Sequence, residues 1–243
     1  MLLILSLAIA LCYGLEFVQP VARRMPVATW AWRVWTSNAM QGLAALAAMA
    51  LWFAMAGVHV SLLHLSVDLP AFAAGAIAYM AYTFTFYWWH RARHAYDGLW
   101  RVLHQIHHSP RRLETVTAFY KHPLETLANS VIAGVLMFWI LGLDLHAAAV
   151  CTLMAALADL FYHANVRTPS WLECIIQRPE MHRLHHEADR HEGNYGDLPL
   201  WDWMFGTLRR ARSEAVVCGF TAEREERFAD MLRGIDVHTT ERS

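Results

Sequence analysis

The chain has 243 residues, 56% hydrophobic and 17% charged. Ordinary soluble domains run at ~45–50% and ~25%, so the balance points to a single membrane-embedded unit. A net charge of −1 without any basic run excludes nucleic acid as a natural partner, and four scattered cysteines (Cys12, Cys151, Cys174, Cys218) without a C-x-x-C pair read as reduced packing residues.

Residues 1–18 form an apolar run broken only by Glu16. Arg23 and Arg24 follow that run instead of preceding it, which fits a retained first span, its N-terminus on the far side, better than a cleaved signal peptide. Residues 38–62 carry no formal charge and can cross ~30 Å of hydrocarbon. Pro70 opens a third run ending at Trp88 and Trp89, rings suited to the headgroup level, and leads straight into His90. Residues 95–126 are polar and aromatic and read as extramembrane, with Arg111 and Arg112 expected among anionic headgroups or, as the sharper alternative, in a docking patch for an electron donor. Pro123 suits a first helical turn and Glu125 the positive end of that helix. Residues 127–142 and 145–162 are each short for a full span, so a tight hairpin that crosses only in part is expected. Pro179 starts a helix bearing three histidines, and residues 221–233 read as an amphipathic helix docked on the cytosolic body or the membrane surface. With these spans every lysine and arginine falls in 19–37, 90–126 or 163–243, on one face, which the positive-inside rule makes cytosolic.

The histidines carry the chemistry. His90 and His94 are four apart; His104, His107 and His108 are three and four apart, and His182, His185 and His186 repeat that pattern. Such separations place side chains on one helical face. Neutral imidazole suits zinc, copper, iron and nickel, and eight such ligands, nine with His163, exceed what one structural ion needs. Two metals with room for an exogenous ligand follow. Two irons sharing oxygen could break an unactivated C–H bond; zinc-bound hydroxide in a lipid hydrolase or isomerase is the rival reading. A metal transporter is the non-enzymatic rival, although its ligands belong near the bilayer midplane. His59, His64, His146, His191 and His238 read as ordinary polar residues, with a supporting role open for His191.

H-R-A-R-H (90–94), H-Q-I-H-H (104–108) and H-R-L-H-H (182–186) resemble the signature of the fatty acid hydroxylase/sterol desaturase superfamily. His108-Ser109-Pro110, His122-Pro123-Leu124-Glu125, His163-Ala164-Asn165 and Asn194-Tyr195-Gly196…Trp201-Asp202…Phe205-Gly206-Thr207 extend the resemblance over about residues 73–208. It implies an integral membrane di-iron enzyme that uses O2 and electrons to hydroxylate or desaturate a lipid. The metal ligands it implies are His90, His94, His104, His107, His108, His163, His182, His185 and His186. His122 is a further ligand or a polar anchor. Asp159 is an oxygen ligand or an orienting group for His163, in a place where relatives carry a second histidine. Glu125 and Asp202 are candidates for accepting the second N–H of a ligand imidazole, or for helix caps. His122-Pro123 lacks the Gly-Gly of a cytochrome b5 heme motif, so a separate donor of cytochrome b5 or ferredoxin type is expected to supply electrons.

These readings give an all-α integral membrane protein with about three transmembrane helices, a helical hairpin and a cytosolic helical cap. N-terminal spans would occupy 1–72, the catalytic unit 73–208, and a charged tail 209–243. The strong preference for arginine over lysine suggests a bacterial inner membrane over the endoplasmic reticulum.

Overall fold

A computed structural model of the chain describes residues 2–24, 26–56, 60–210 and 216–238. Among them there is no β-strand, only an isolated bridge between Glu187 and Cys218. Five long helices carry the molecule: α1 (Leu2–Val18), α2 (Trp30–Ala56), α3 (Ala71–Ala95), α4 (Pro123–Gly134, continued by a π-helical stretch Val135–Ile140) and α5 (Leu145–His163). Shorter helices α6 (Pro179–His185), α7 (Pro199–Met204), α8 (Ala222–Glu226) and α9 (Phe228–Leu232) build a cap at one end. The protein is thus an all-α membrane protein, and three of its helices are long and apolar enough to cross a bilayer, at Trp30–Met55, Pro123–Ile140 and Leu145–His163.

Small residues set the central packing. Ala74, Gly75 and Ala78 on α3 face Ala147, Ala148 and Cys151 on α5, all but Gly75 in the main buried cluster. Without bulky side chains the two backbones approach closely, as membrane helices do where dispersion and not water drives association. A Cβ on Gly75 would lie 2.6 Å from the carbonyl oxygen of Ala147 and 2.6 Å from Val150 Cβ. Beside this pair, Trp52 on α2 donates its indole N–H to the Ser130 carbonyl of α4 at 2.8 Å. Asp144 caps α5 by accepting from Ala147 N at 2.8 Å, and Gly142 at φ +64 makes the preceding turn.

A second cluster lies in the cap, where Trp30, Val34, Ile106, Tyr120, Phe228 and Met231 pack together. Buried ion pairs lock it. Arg33 and Glu225, both fully buried, meet at 2.9 Å, and Arg111 Nε reaches the other Glu225 oxygen at 2.7 Å. Glu16 of α1 accepts from Thr115 N at 2.5 Å, Thr115 Oγ1 at 2.7 Å and Asn165 N at 3.0 Å, while Arg24 neutralises it at 2.8 Å. The one acid in the first apolar run therefore pins α1 to the cap.

Several expectations need correction. The helix of the second span begins at Trp30, eight residues before Asn38, and its first turns are held in the cap, where Glu225 neutralises Arg33; residues 57–59, with His59, lie outside the described residues. The hairpin arms reach back to Pro123 and on to His163, so each is long enough to cross on its own. Arg111 and Arg112 do not point to headgroups: their partners are Glu225 and Glu114. Residues 221–233 form two short helices broken at Arg227, with Phe228 and Met231 buried in the cap. Replacing Gly75 by valine is expected to cost about 1–3 kcal/mol through overpacking, read as a lower unfolding midpoint by circular dichroism in detergent, whereas Gly14→Val, with open space around it, leaves the midpoint in place.

Candidate metal centre

Nine buried or half-buried histidines converge where α3, the turn 100–108, α5 and α6 meet. Their donor nitrogens fall into two groups, each lying within 4.8 Å of one another: His90, His94, His104, His108 and His185 in one, His107, His163, His182 and His186 in the other. Helical geometry explains the partition. Residues i and i+4 stand one above the other, whereas i+3 and i+4 diverge by about 100°. Each H-x-x-H-H segment accordingly gives its first and last histidines to one group and its middle one to the other. His90 and His94, four apart on α3, stay together. A π-helical turn at Trp100–His104 widens the chain ahead of the second segment, a distortion common at functional sites.

Backbone carbonyls orient the rings. His90 Nδ1 donates to Tyr195 O at 2.8 Å, His185 Nδ1 to Gly193 O at 2.7 Å, His163 Nδ1 to Asp159 O at 2.8 Å and His107 Nδ1 to Tyr120 O at 3.3 Å. A carbonyl only accepts, so these rings carry their proton on Nδ1 and present a lone pair at Nε2. His107 and His163 nevertheless hold their Nε2 atoms 3.2 Å apart, and His185 Nε2 is buried without a partner. Two lone pairs aimed at each other repel unless a cation lies between them. Adjacent nitrogens around an ion with bonds of about 2.0–2.1 Å sit about 3.0–3.4 Å apart, and the contacts here are 3.0–3.2 Å. The residues fit metal ions in both groups.

Electrostatics agree. Burial first, then neighbouring rings and Arg93, hold His104, His107, His108, His182 and His186 well below the usual imidazole range, and His185 falls to about 3. Neutral imidazoles are the form that binds metal. Each group also has one carboxylate behind it. The Glu125 oxygens lie 3.3 Å from His104 Nδ1 and Glu125 is paired with Arg93. Asp159 Oδ1 lies 3.0 Å from His163 Nδ1, and its other oxygen meets Lys121 at 2.8 Å. Such partners raise a ligand's basicity and fix its ring.

The remaining candidates are placed differently. Asp159 stands behind His163 and outside the converging nitrogens. His122 caps α4, accepting from Leu124 N at 3.1 Å, and lies outside both groups. Asp202 touches no imidazole; it accepts from Tyr195 N at 2.8 Å, Gly196 N at 2.9 Å and Thr207 Oγ1 at 2.7 Å, and so holds the loop whose carbonyl orients His90. Burial brings the Asp202 carboxyl up to about 6. His191 meets His108 with Nδ1 atoms 3.2 Å apart, while His64 faces Ser61 and His238 packs on Phe220.

Sequence reasoning missed Arg93, Lys121 and Asn194. Asn194, at φ +52, donates to Met181 O at 2.9 Å and Arg209 O at 2.8 Å, and thereby ties the carbonyl-bearing loop to α6. Its place in the Asn194-Tyr195-Gly196 run was the available signal, since asparagine tolerates the left-handed region. Below the histidines a cavity of about 510 Å³ runs between α2, α3, α4 and α5 from His104, His107 and His163 to Trp52, Ala133 and Thr152.

The profile of the fatty acid hydroxylase family matches residues 75–207. Among curated proteins, human alkylglycerol monooxygenase is 32% identical over 59% of this chain and 32% of its own length. Delta(7)-sterol-C5(6)-desaturase of Nicotiana tabacum is 29% identical over 55% of the chain and 49% of its own. A very-long-chain aldehyde decarbonylase of Oryza sativa subsp. indica is 26% identical over 50% and 48%. The chain thus spans between a third and a half of the relatives it matches. No solved structure matches.

Glu125→Gln is expected to weaken metal binding about 10–100-fold, measured by competition with a chelator. Acid should also unfold the metal-free protein. Above about 6.5 both states hold neutral rings; between there and the folded value of about 3 for His185, the unfolded chain takes up protons that the folded one refuses. Stability is therefore expected to fall steadily as pH drops from 6.5 toward 3, and a flat profile in denaturant titrations would count against buried neutral histidines.

Proposed function

Since the chain belongs to the fatty acid hydroxylase family, we propose that it is an O2-dependent membrane oxidoreductase that hydroxylates or desaturates an unactivated C–H position of a lipid. The observation that carries this is the convergence of nine imidazoles in two groups beside a cavity lined by α2, α3, α4 and α5. The relatives named as a lipid monooxygenase, a sterol desaturase and an aldehyde decarbonylase support the same class of chemistry.

His90, His94, His104, His108 and His185 would hold one iron, and His107, His163, His182 and His186 the other. Two irons so held would supply reductive O2 activation strong enough to break a C–H bond. The chain's own work is positional. Carbonyls of Tyr195, Gly193, Asp159 and Tyr120 fix the tautomer of four ligands; Glu125 and Asp159 back one ligand in each group. Arg93 and Lys121 neutralise those carboxylates, so neither faces the cavity as an unpaired anion. Phe86, Trp52 and Ala155 give the cavity apolar walls that suit a hydrocarbon chain or ring system and exclude water.

On this reading the catalytic unit spans residues 73–208, with 1–72 as membrane helices and 209–243 as a charged tail, whose helices Ala222–Glu226 and Phe228–Leu232 lie in the cap. The positive-inside pattern supports a centre on the cytosolic side, and the preference for arginine over lysine supports a bacterial inner membrane, where a separate protein of cytochrome b5 or ferredoxin type would deliver electrons. Lipid mass spectrometry of cells with and without the protein is expected to reveal products shifted by about +16 or −2 mass units, the signatures of hydroxylation and desaturation. His107→Ala and His185→Ala should abolish the shift while the protein still inserts. Product formation under strict anaerobiosis, or full turnover in either variant, would overturn the assignment.

A further inference from the structure

Part of the cap packs along the side of α3. Helix α7 lies against the outward face of α3, below the histidines. Trp201 donates its indole N–H to Thr83 Oγ1 at 3.0 Å, and Phe84 meets Trp201 with ring centroids 5.1 Å apart. Phe205 stacks on Tyr87 at 5.3 Å and packs on Trp88 at 4.8 Å. Thr83 precedes His90 by seven residues, about 10 Å of helical rise toward the membrane interior. On the neighbouring side Ile176 and Leu198 pack against the same buried cluster as Tyr79, Ala155 and Ala158. Ile176, Leu198, Trp201 and Phe205 therefore pack beside α3 and α5, below the histidines.

At that depth their outer surface is apolar. Trp171 is 62% exposed, Ile175 61%, Trp203 69% and Met204 54%, with Leu200 also open. They continue the outward row of α3, the partner of α5 in the bundle, where Ile77, Met80, Phe84 and Trp88 are exposed. A recess of about 200 Å³ lined by Cys174, Met181, Pro199, Leu200 and Trp203 opens between the 3-10 turn Ser170–Cys174 and α7. The acid beside it, Glu173, has Arg178 at 3.4 Å and Arg210 at 3.6 Å, and Arg210 itself is exposed at the rim, where lipid phosphates lie.

We propose that Ser170–Cys174 and α7 form a wedge inserted into the near leaflet without crossing it, so that lipid acyl chains cover Trp171, Ile175, Leu200, Trp203 and Met204. Continuity with the lipid-facing side of α3 identifies the occupant; the wedge is monotopic in kind, apolar inward and basic at its edge. The inference stands independently of which reaction the metal centre performs.

The test is spin-label accessibility in the full-length protein, reconstituted in vesicles of phosphatidylcholine and phosphatidylglycerol. Cys174 is exposed, Cys151 and Cys218 are buried, and Cys12→Ser removes the half-exposed fourth thiol, so a nitroxide can be placed at the native Cys174. A second label at Trp203→Cys and a reference label at the exposed Arg190→Cys, each in a background with Cys174→Ser, complete the set. Labels at 174 and 203 are expected to collide readily with O2 and several-fold less often than the label at 190 with a water-soluble nickel chelate. Equal chelate collision at all three positions would overturn the proposal, as would labels at 174 and 203 shielded from both reagents, which would mean a protein surface covers the wedge. The label on native Cys174 requires no change at the wedge itself, so misfolding of Trp203→Cys leaves the test intact.

Discussion

The repulsion between imidazole lone pairs governs this structure. Carbonyls on three separate segments hold the ring protons of His90, His107, His163 and His185 on the far side of each ring. The facing nitrogens are then acceptors with nothing to accept, in a region too buried to protonate them. An arrangement of that sort costs free energy in an empty protein. The converging nitrogens fit the inside of a coordination sphere, and the surrounding ion pairs hold the rings in place.

Those ion pairs follow one pattern. A carboxylate backs one histidine in each group, and a single cation from a different segment balances it: Arg93 for Glu125, Lys121 for Asp159. Both cations line the cavity wall. Further out, Glu225 joins Arg33 of α2 to Arg111 beside the second histidine segment, and Glu16 joins α1 to Thr115 and Asn165. Removing one member of such a buried pair strands the other charge, so the helices of the membrane and the cap are held to each other as firmly as to themselves.

Local features were legible in the sequence and distant pairings were not. Imidazoles at i and i+4 were legible as pairs because the helical repeat alone brings them into register, whereas the assignment of the ring between them to the other group was not. Pro123 likewise predicted the start of α4, and the structure adds His122 as its cap. The true extent of α2 was hidden because Arg33 looks solvent-seeking until Glu225, 192 residues away, is seen to meet it. Arg111 was misread for the same reason. The packing of α7 on α3 was invisible too: nothing in a short segment with two tryptophans tells that Trp201 bonds Thr83, 118 residues earlier. Asp202 held a plausible place for a ligand partner, yet the nearest N–H groups were those of its own loop.

The interleaving of the two H-x-x-H-H segments has a mechanical corollary. His104 and His108 share one short turn with His107, and His182 and His186 share another with His185, so neither nest of nitrogens belongs to a separable piece of chain. A displacement of either short turn therefore moves donor nitrogens in both nests at once, and the two cannot be reshaped independently.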